Sequence, residues 1–406
     1  MKKDYLFVMT RKQLQVGILF FTVFIDMLGF GIVMPILPRY VETLGAASWQ
    51  MGLLVGIFSL AQLFMLPFWG HLSDRIGRKP VLIISIFGTM MGYLTMGLTR
   101  SITIMMVARV IDGAAGGNIS VVQASLSDIS TPEERSSMMG KVIGAAYGIG
   151  FIMGPALGGW LCCHYGFAAP MLVTAGLAAI NFLLIFLFLP ETLRKKDKEP
   201  EHTSLLMLLK HVEKKTYIPV LMAFFFFVLG FSMVTTLLVL FFYHRYGMSE
   251  QQTGSIYAMF GIIAIVLEGG LFGLLSKYVG DRLLAILGAG FLMTSFFFIP
   301  LSWSVSLAVL ACVMMALGDS LITPSLPAIV SRTTHEQWQG AAFGFYQSAG
   351  CLARCFGPLL GGILLQVNFC SVSKAYYAQT AFWTAAGFLV IALICLFKIP
   401  VRRISK

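Results

Sequence analysis

The sequence predicts an all-α integral membrane protein, with twelve transmembrane helices arranged as two six-helix repeats around a central cavity. Three observations lead there. Of 406 residues, 58% are apolar and 12% charged, about half the charge of an ordinary soluble domain. Charge-free runs recur from Leu14 to Pro400, long enough to cross a hydrocarbon core that takes about 20 residues of helix. Two separate motifs also repeat at a single offset of 203 residues.

The stretch from Met1 to Gln15 is basic and opens an apolar run lasting to Met34. That run is too long for a signal-peptide core and lacks a small-residue cleavage site, so it is expected to persist as the first span, 14–36. Turn residues and charges punctuate further apolar windows at 49–70, 79–98, 103–127, 138–161 and 167–189. A polar stretch from Glu191 to Lys215, containing Arg194-Lys195-Lys196-Asp197-Lys198-Glu199-Pro200-Glu201, falls at the middle of the chain and reads as a cytoplasmic linker. Six windows follow, at 217–243, 251–275, 282–301, 304–330, 338–365 and 378–398. The expected organisation is an N-terminal six-helix bundle over 1–190, a linker over 191–216 and a C-terminal six-helix bundle over 217–406.

With both termini cytoplasmic, the inside segments carry Lys2, Lys3, Arg11 and Lys12; Arg75, Arg78 and Lys79; Arg135 and Lys141; the cluster from Arg194 to Lys215; Lys277 and Arg282; Arg332; and Lys398, Arg402, Arg403 and Lys406. The outside segments carry Arg39, Arg100, Arg245 and Lys374. This is the positive-inside bias, and it accounts for the net charge of +11 without a nucleic-acid partner. Cys162, Cys163, Cys312, Cys351, Cys355, Cys370 and Cys395 lack the paired spacing of a zinc or redox motif and read as small core residues. His71, His164 and His244 fall at span ends without metal-ligand spacing, so no metal and no cofactor is expected. Short loops and the lack of a targeting segment point to a bacterial inner (plasma) membrane, with a monomer as the expected unit.

Gly154-Pro155-Ala156-Leu157-Gly158-Gly159 in span five recurs as Gly357-Pro358-Leu359-Leu360-Gly361-Gly362 in span eleven. Gly70-His71-Leu72-Ser73-Asp74-Arg75-Ile76-Gly77, after span two, recurs at the same offset as Gly273-Leu274-Leu275-Ser276-Lys277-Tyr278-Val279-Gly280. Two parallel repeats related by an axis along the membrane normal place a substrate site at the midplane, and so predict alternating access.

Gly70 to Gly77, continued by Arg78-Lys79, matches Gly-x-x-x-Asp-Arg-x-Gly-Arg-Arg/Lys at every fixed position and so resembles the loop signature of the major facilitator superfamily. Asp26-Met27-Leu28-Gly29-Phe30-Gly31-Ile32-Val33-Met34-Pro35-Ile36-Leu37-Pro38 is similar to the first-span signature of its twelve-span drug:proton antiporters. Gly144, Gly148, Gly154, Pro155, Gly158 and Gly159 have the spacing of their span-five antiporter motif, echoed by Gly357 and Pro358. The resemblance covers essentially the whole chain and lies nearest the tetracycline and multidrug efflux branch. It implies the major facilitator fold and export of a small molecule driven by proton entry, with the proton gradient as energy source. It also implies that Asp74, with Arg75, Arg78, Lys79 and Arg135, forms a cytoplasmic latch holding one access state. Two departures stand out. The span-four motif reads Arg109-Val110-Ile111-Asp112-Gly113, with an acid where the family has a polar residue, and the second loop copy has Lys277 in place of Asp74.

On physical grounds alone, Asp74 can sit against a neighbouring helix N-terminus, worth about 0.3–1 kcal/mol when exposed; the same loop also reads as an ordinary tight turn. Glycines at intervals of four in spans five and eleven make a flat stripe for close helix packing, and Pro155 and Pro358 favour a bend. Packing that permits rocking serves structure and transport together.

Six ionisable residues fall inside spans: Asp26, Arg109, Asp112, Glu268, Asp319 and Arg354. A charge at a helix centre costs about 2.5–3.5 kcal/mol even on the insertion scale. Asp26 lies near the midpoint of its span, where desolvation disfavours the charged form. It is expected to bind a proton or a substrate cation, or else to act as a structural hydrogen-bonding acid. Arg109 and Asp112, three apart, share a helix face and either neutralise each other or work in transport. Asp319 lies one turn beyond the repeat equivalent of Asp112, which would set acids on spans four and ten across a pseudo-twofold cavity. Arg354, on the stripe of Gly350, Gly357 and Gly361, needs a carboxylate if buried, with Asp319 and Glu268 as candidates. Glu268 is placed in the cytoplasmic part of span eight, within reach of water.

Cavity candidates are Gln62, Asn118, Gln123, Tyr147, Phe231, Tyr257, Tyr346 and Gln347, each of which also reads as helix–helix or lipid contact. With 34 Phe and 23 Met, an apolar, adaptable pocket is expected. The leading function is proton-driven export of lipophilic or cationic small molecules. The alternative is an importer or facilitator of a sugar or organic acid, though cavity acids disfavour an anion unless Arg109 or Arg354 binds it. A membrane enzyme would need a nucleophile–base or metal constellation, and the sequence offers none. A receptor or scaffold would be expected to have lost its intramembrane charges or gained a soluble domain.

Overall fold

The computed structural model describes residues 2–131, 138–193, 212–334, 338–368 and 378–400. Arg135, Cys370, Lys374 and most of the linker lie outside them. Among the described residues, twelve helices are long and apolar enough to cross a membrane: Lys12–Val33, Ser48–Ile76, Arg78–Leu98, Ile102–Ile129, Val142–Tyr165, Ala168–Phe188, Lys214–Tyr246, Glu250–Val279, Asp281–Leu301, Val305–Thr333, Gln339–Leu365 and Gln379–Phe397. These are spans one to twelve below. The described residues hold no β-strand, only an isolated antiparallel bridge between Val212 and Thr334.

Each expected window finds its helix, and the differences lie at ends and interruptions. Span one stops at Val33, where Pro35 and Pro38 intervene, and a short helix, Leu37–Thr43, follows. Spans two and eight run on through the loop motif to Ile76 and Val279, so Asp74 and Lys277 are helical. What stops span two is Gly77, whose φ of 105° is open to glycine and strained for other residues. Span four is broken by a 3-10 turn at Gly116–Asn118. Span eight widens into a π-helical stretch, Ile265–Leu271, carrying Glu268-Gly269-Gly270.

The helices form two compact units. The first holds spans one and three to six, span two from Ile57 onward, and the start of span eight, Ser249–Ala258. The second holds Ala47–Gly56, span seven, the rest of span eight and spans nine to twelve. Within the first unit span one packs on spans five and six, and span three on spans four and six; within the second, span seven packs on eleven and twelve, and span nine on ten and twelve. The two sets of pairings are the same after renumbering by six, so the sequence repeat is a repeat of packing.

Small residues make these crossings possible, as expected where lipid offers no hydrophobic drive between helices. In the first unit Gly31 meets Gly154, and Gly150 meets the backbone of Leu28. In the second, Gly288 and Gly318 lie backbone to backbone, and Gly357 lies against Leu229 and Ser232. Large apolar side chains such as Phe64, Phe186, Leu187, Ile262 and Phe397 are left exposed, as a lipid-facing surface requires.

Candidate functional site

In the first unit the intramembrane polar residues converge. Asp26 in span one is half-buried and has Asn118 and Asp112 as electrostatic neighbours. The 3-10 turn of span four presents Asn118, because Gly117 lets the chain approach the backbone of Met65 and Leu66 while the Gly116 carbonyl accepts a 2.9 Å hydrogen bond from Gln62 Nε2. The Asn118 carboxamide is buried, and neither its nitrogen nor its oxygen has a hydrogen bond of normal geometry. Arg109 Nη1 donates to Asp112 Oδ2 at 2.8 Å, both side chains are buried, and the guanidinium carbon stands 4.4 Å from the Phe58 ring centroid. Tyr93, fully buried, rests its hydroxyl over Gly29, within electrostatic reach of Asp26, Arg109 and Asp112. Among the described residues Asp26 makes no ion pair. The cluster therefore contains one neutralised pair and one carboxyl free to take a proton or a cation.

The second unit is arranged differently. Glu268 is exposed on the π-helical stretch, Asp319 is half-buried and accepts from Thr323 Oγ1 at 3.0 Å, and the two acids are electrostatic neighbours. Neither pairs with Arg354, contrary to the partnership expected from sequence. Gly350 has no side chain to block it, so the guanidinium folds back along its own helix, with Nη1 3.3 Å from where a β-carbon at 350 would stand and Nη2 3.4 Å from Cys351 Sγ. Of the cavity candidates, Tyr257 and Tyr346 are buried, Phe231 is half-buried beside Phe227, and Gln123, Tyr147 and Gln347 are exposed.

The loop signature builds around Arg78. Its Nη2 lies 2.7 Å from Asp74 Oδ1, its Nε 3.0 Å from Asp128 Oδ2, and its Nη1 donates to Ser73 Oγ at 2.6 Å. Arg75 is exposed and, among the described residues, has no ion-pair partner. The sequence reading set Asp74 against a helix N-terminus; the structure gives that place to Glu191, whose carboxylate accepts from the backbone N–H of Arg78 (2.9 Å), Lys79 (3.2 Å) and Leu193 (2.8 Å). The second copy reverses the charges. At the same offset Ser73 and Arg78 become Ser276 and Asp281, which are hydrogen-bonded, and Asp281 pairs at 3.1 Å with Arg332, the residue after the equivalent of Asp128.

A family profile for the Major Facilitator Superfamily matches residues 19–358. The chain belongs to that superfamily. It is a multi-pass membrane transporter and not an enzyme. It is 30% identical over 361 residues to multidrug resistance protein 2 of Bacillus subtilis (strain 168), covering 86% of this chain and 88% of that protein. It is 28% identical over 391 residues to the class E tetracycline resistance protein of Escherichia coli, covering 92% of each. Among solved structures, the human organic anion transporter MFSD10 (TETRAN) matches with a TM-score of 0.69 at 25% identity, over 95% of this chain and 99% of that one. A bacterial homologue of the human lysosomal transporter Spinster matches in fold, with a TM-score of 0.80 at 15% identity, over 96% and 98%.

In this major facilitator transporter the glycine–proline motifs hold the helix starts that each unit draws in. In the first unit a β-carbon at Gly254 would stand 2.5 Å from the Pro155 carbonyl oxygen, and one at Gly159 would stand 2.8 Å from that of Glu250. Arg39 bridges the same region, 2.6 Å from Glu42 and 3.8 Å from Glu250. In the second unit Gly52 lies against the Pro358 carbonyl, and Gly362 against that of Ser48. Gly52, Gly254, Tyr93, Phe58, Ser73, Asp128, Glu191 and Asp281 were not singled out from sequence. Asp281 lies at the 203-residue offset from Arg78, with the charge reversed, and Arg332 one residue beyond the equivalent of Asp128.

Proposed function

We propose that the protein exports lipophilic or cationic small molecules across a bacterial inner membrane by alternating access, in exchange for protons, with both termini in the cytoplasm. The observation that carries this reading is Asp26: a mid-span carboxyl without an ion-pair partner among the described residues, beside the buried carboxamide of Asn118. An intramembrane acid in that setting can hold either a proton or a substrate cation, and competition between the two is the simplest coupling. Arg109 and Asp112 neutralise each other in the same cluster and set the field that Asp26 feels. The named drug-resistance relatives support the direction and the substrate class. The Arg78 hub ties spans two, three and four together, and its formation and rupture would accompany the change of access.

The test uses inside-out vesicles energised to an acidic interior, with a pH-sensitive dye, while lipophilic cations, neutral drugs, sugars and organic acids are added in turn. Collapse of the gradient on adding a lipophilic compound, abolished by Asp26→Asn, is the expected result. A sugar or organic acid as the sole active addition would favour a metabolite carrier instead.

A further inference from the structure

We propose that Arg354 and Tyr346 form an anion-binding subsite in the second unit, one that takes the carboxylate of a planar, apolar organic acid. The proposal rests on the reading of the chain as a small-molecule transporter, and it adds an anionic ligand class, bound within the second unit alone, to the cationic one proposed for Asp26.

Arg354 lies near the middle of span eleven, Gln339–Leu365, and is half-buried. Among the described residues no carboxylate pairs with it, and its one hydrogen bond is to Cys351 Sγ. A guanidinium at mid-span cannot turn its open side to hydrocarbon, so that side meets water or a counter-anion. The other deep arginine, Arg109, is already neutralised by Asp112. Tyr346 and Gly350 precede Arg354 at intervals of four, so all three share one stripe of the helix. Tyr346 is buried and within electrostatic reach of Arg354, and its hydroxyl makes no hydrogen bond among the described residues. The ring of Phe224 stacks on Tyr346 with centroids 3.7 Å apart and planes 15° from parallel, and it reaches within 2.8 Å of where a Gly350 β-carbon would stand. The stripe thus offers a guanidinium fork and a free hydroxyl beside an aromatic wall. A fork recognises a carboxylate through two parallel hydrogen bonds, and an aromatic pair favours a flat apolar body. Lipid phosphates sit at headgroup level, not at mid-span, so the anion the proposal assigns to that open side, in place of water, is the carboxylate of a transported organic acid.

The probe is 2-naphthoate against its neutral analogue 2-naphthamide, measured by calorimetry on the full-length protein in phosphatidylcholine nanodiscs, with no proton gradient. The expected result is naphthoate binding at least about tenfold tighter than the amide. That preference should vanish in Arg354→Gln, fall about threefold in Tyr346→Phe and survive in part in Arg354→Lys. Equal affinity for the two probes in the unaltered protein overturns the proposal, as does a preference that Arg354→Gln leaves intact. If Arg354→Gln does not give monodisperse protein, an unchanged preference in both Arg354→Lys and Tyr346→Phe overturns it. Because binding is read without a gradient, failure of proton coupling with this preference present counts against the export reading alone. Export of lipophilic cations with the preference absent counts against the subsite alone.

Discussion

Replacing Arg78 with Gln removes the cation that, among the described residues, ties Ser73, Asp74 and Asp128 together. The side chains of Arg78 and Asp128 are 4% and 5% exposed, so the substitution strands a buried carboxylate, a change worth about 3–5 kcal/mol when water cannot compensate. Asp74, 41% exposed, adds at most about 0.5 kcal/mol. The expected cost is therefore about 3–5 kcal/mol. Asp128→Asn in the same chain removes the stranded charge and should recover at least about 1.5 kcal/mol of it. The charge-reversed copy sets the contrast. Arg332 is 65% exposed, and Asp281, although as buried as Asp128 at 4%, keeps its bond to Ser276 and its place in the first turn of span nine, so its charge is still compensated when Arg332 is lost. Arg332→Gln should cost no more than about 1 kcal/mol. Equilibrium unfolding in mixed micelles titrated with dodecyl sulfate, followed by circular dichroism, measures the unaltered protein, Arg78→Gln, Asp128→Asn, their double variant and Arg332→Gln. Equal costs for Arg78→Gln and Arg332→Gln, or strict additivity of Arg78→Gln with Asp128→Asn, would refute the reasoning.

The same assay should find Asp112→Asn and Arg109→Gln each destabilising by about 3 kcal/mol and the double variant more stable than either, since the pair is buried and mutually neutralised. Glu191→Ala should cost about 1 kcal/mol by uncapping the start of span three. Gly77→Ala should cost more, because it adds strain at positive φ and its β-carbon would displace the Glu191 carboxylate. Gly254→Val should disfavour the packing of the span-eight start on Pro155 by about 1–3 kcal/mol, seen as normal membrane insertion with transport lost. Normal transport by that variant would show that the contact is dispensable.

The twelve spans and the repeat were legible because both are carried by composition and local pattern. Twenty apolar residues read as a span whatever they touch, and Gly-Pro-x-x-Gly-Gly looks the same in each half. The loop signature was legible for the same reason, but its partners were not: Asp128 and Glu191 are 50 and 113 residues from Arg78, and no local spacing announces that they meet. The second copy's ion pair was hidden by its chemistry, since Asp281 in the place of Arg78 is a mismatch to any comparison by likeness, although a bond to the preceding serine and an ion pair to span ten remain, with the signs exchanged. Arg354 shows the reverse failure. Its need for a carboxylate was a sound inference for a buried cation, but Gly350 gives the side chain room to fold back along its own helix, a choice that depends on one missing β-carbon. The break in span four at Gly116–Asn118, which presents Asn118 toward Asp26, likewise depends on backbone contacts with span two that the sequence does not display.

The central claim, that a proton and a lipophilic cation exchange at Asp26, is tested most directly by uptake of labelled tetraphenylphosphonium into inside-out vesicles given an acid-interior pH jump. The account predicts accumulation that needs the pH jump, is abolished by a protonophore and is absent in Asp26→Asn, although the variant inserts normally. Accumulation by Asp26→Asn at the unaltered rate, still driven by the pH jump, would contradict it.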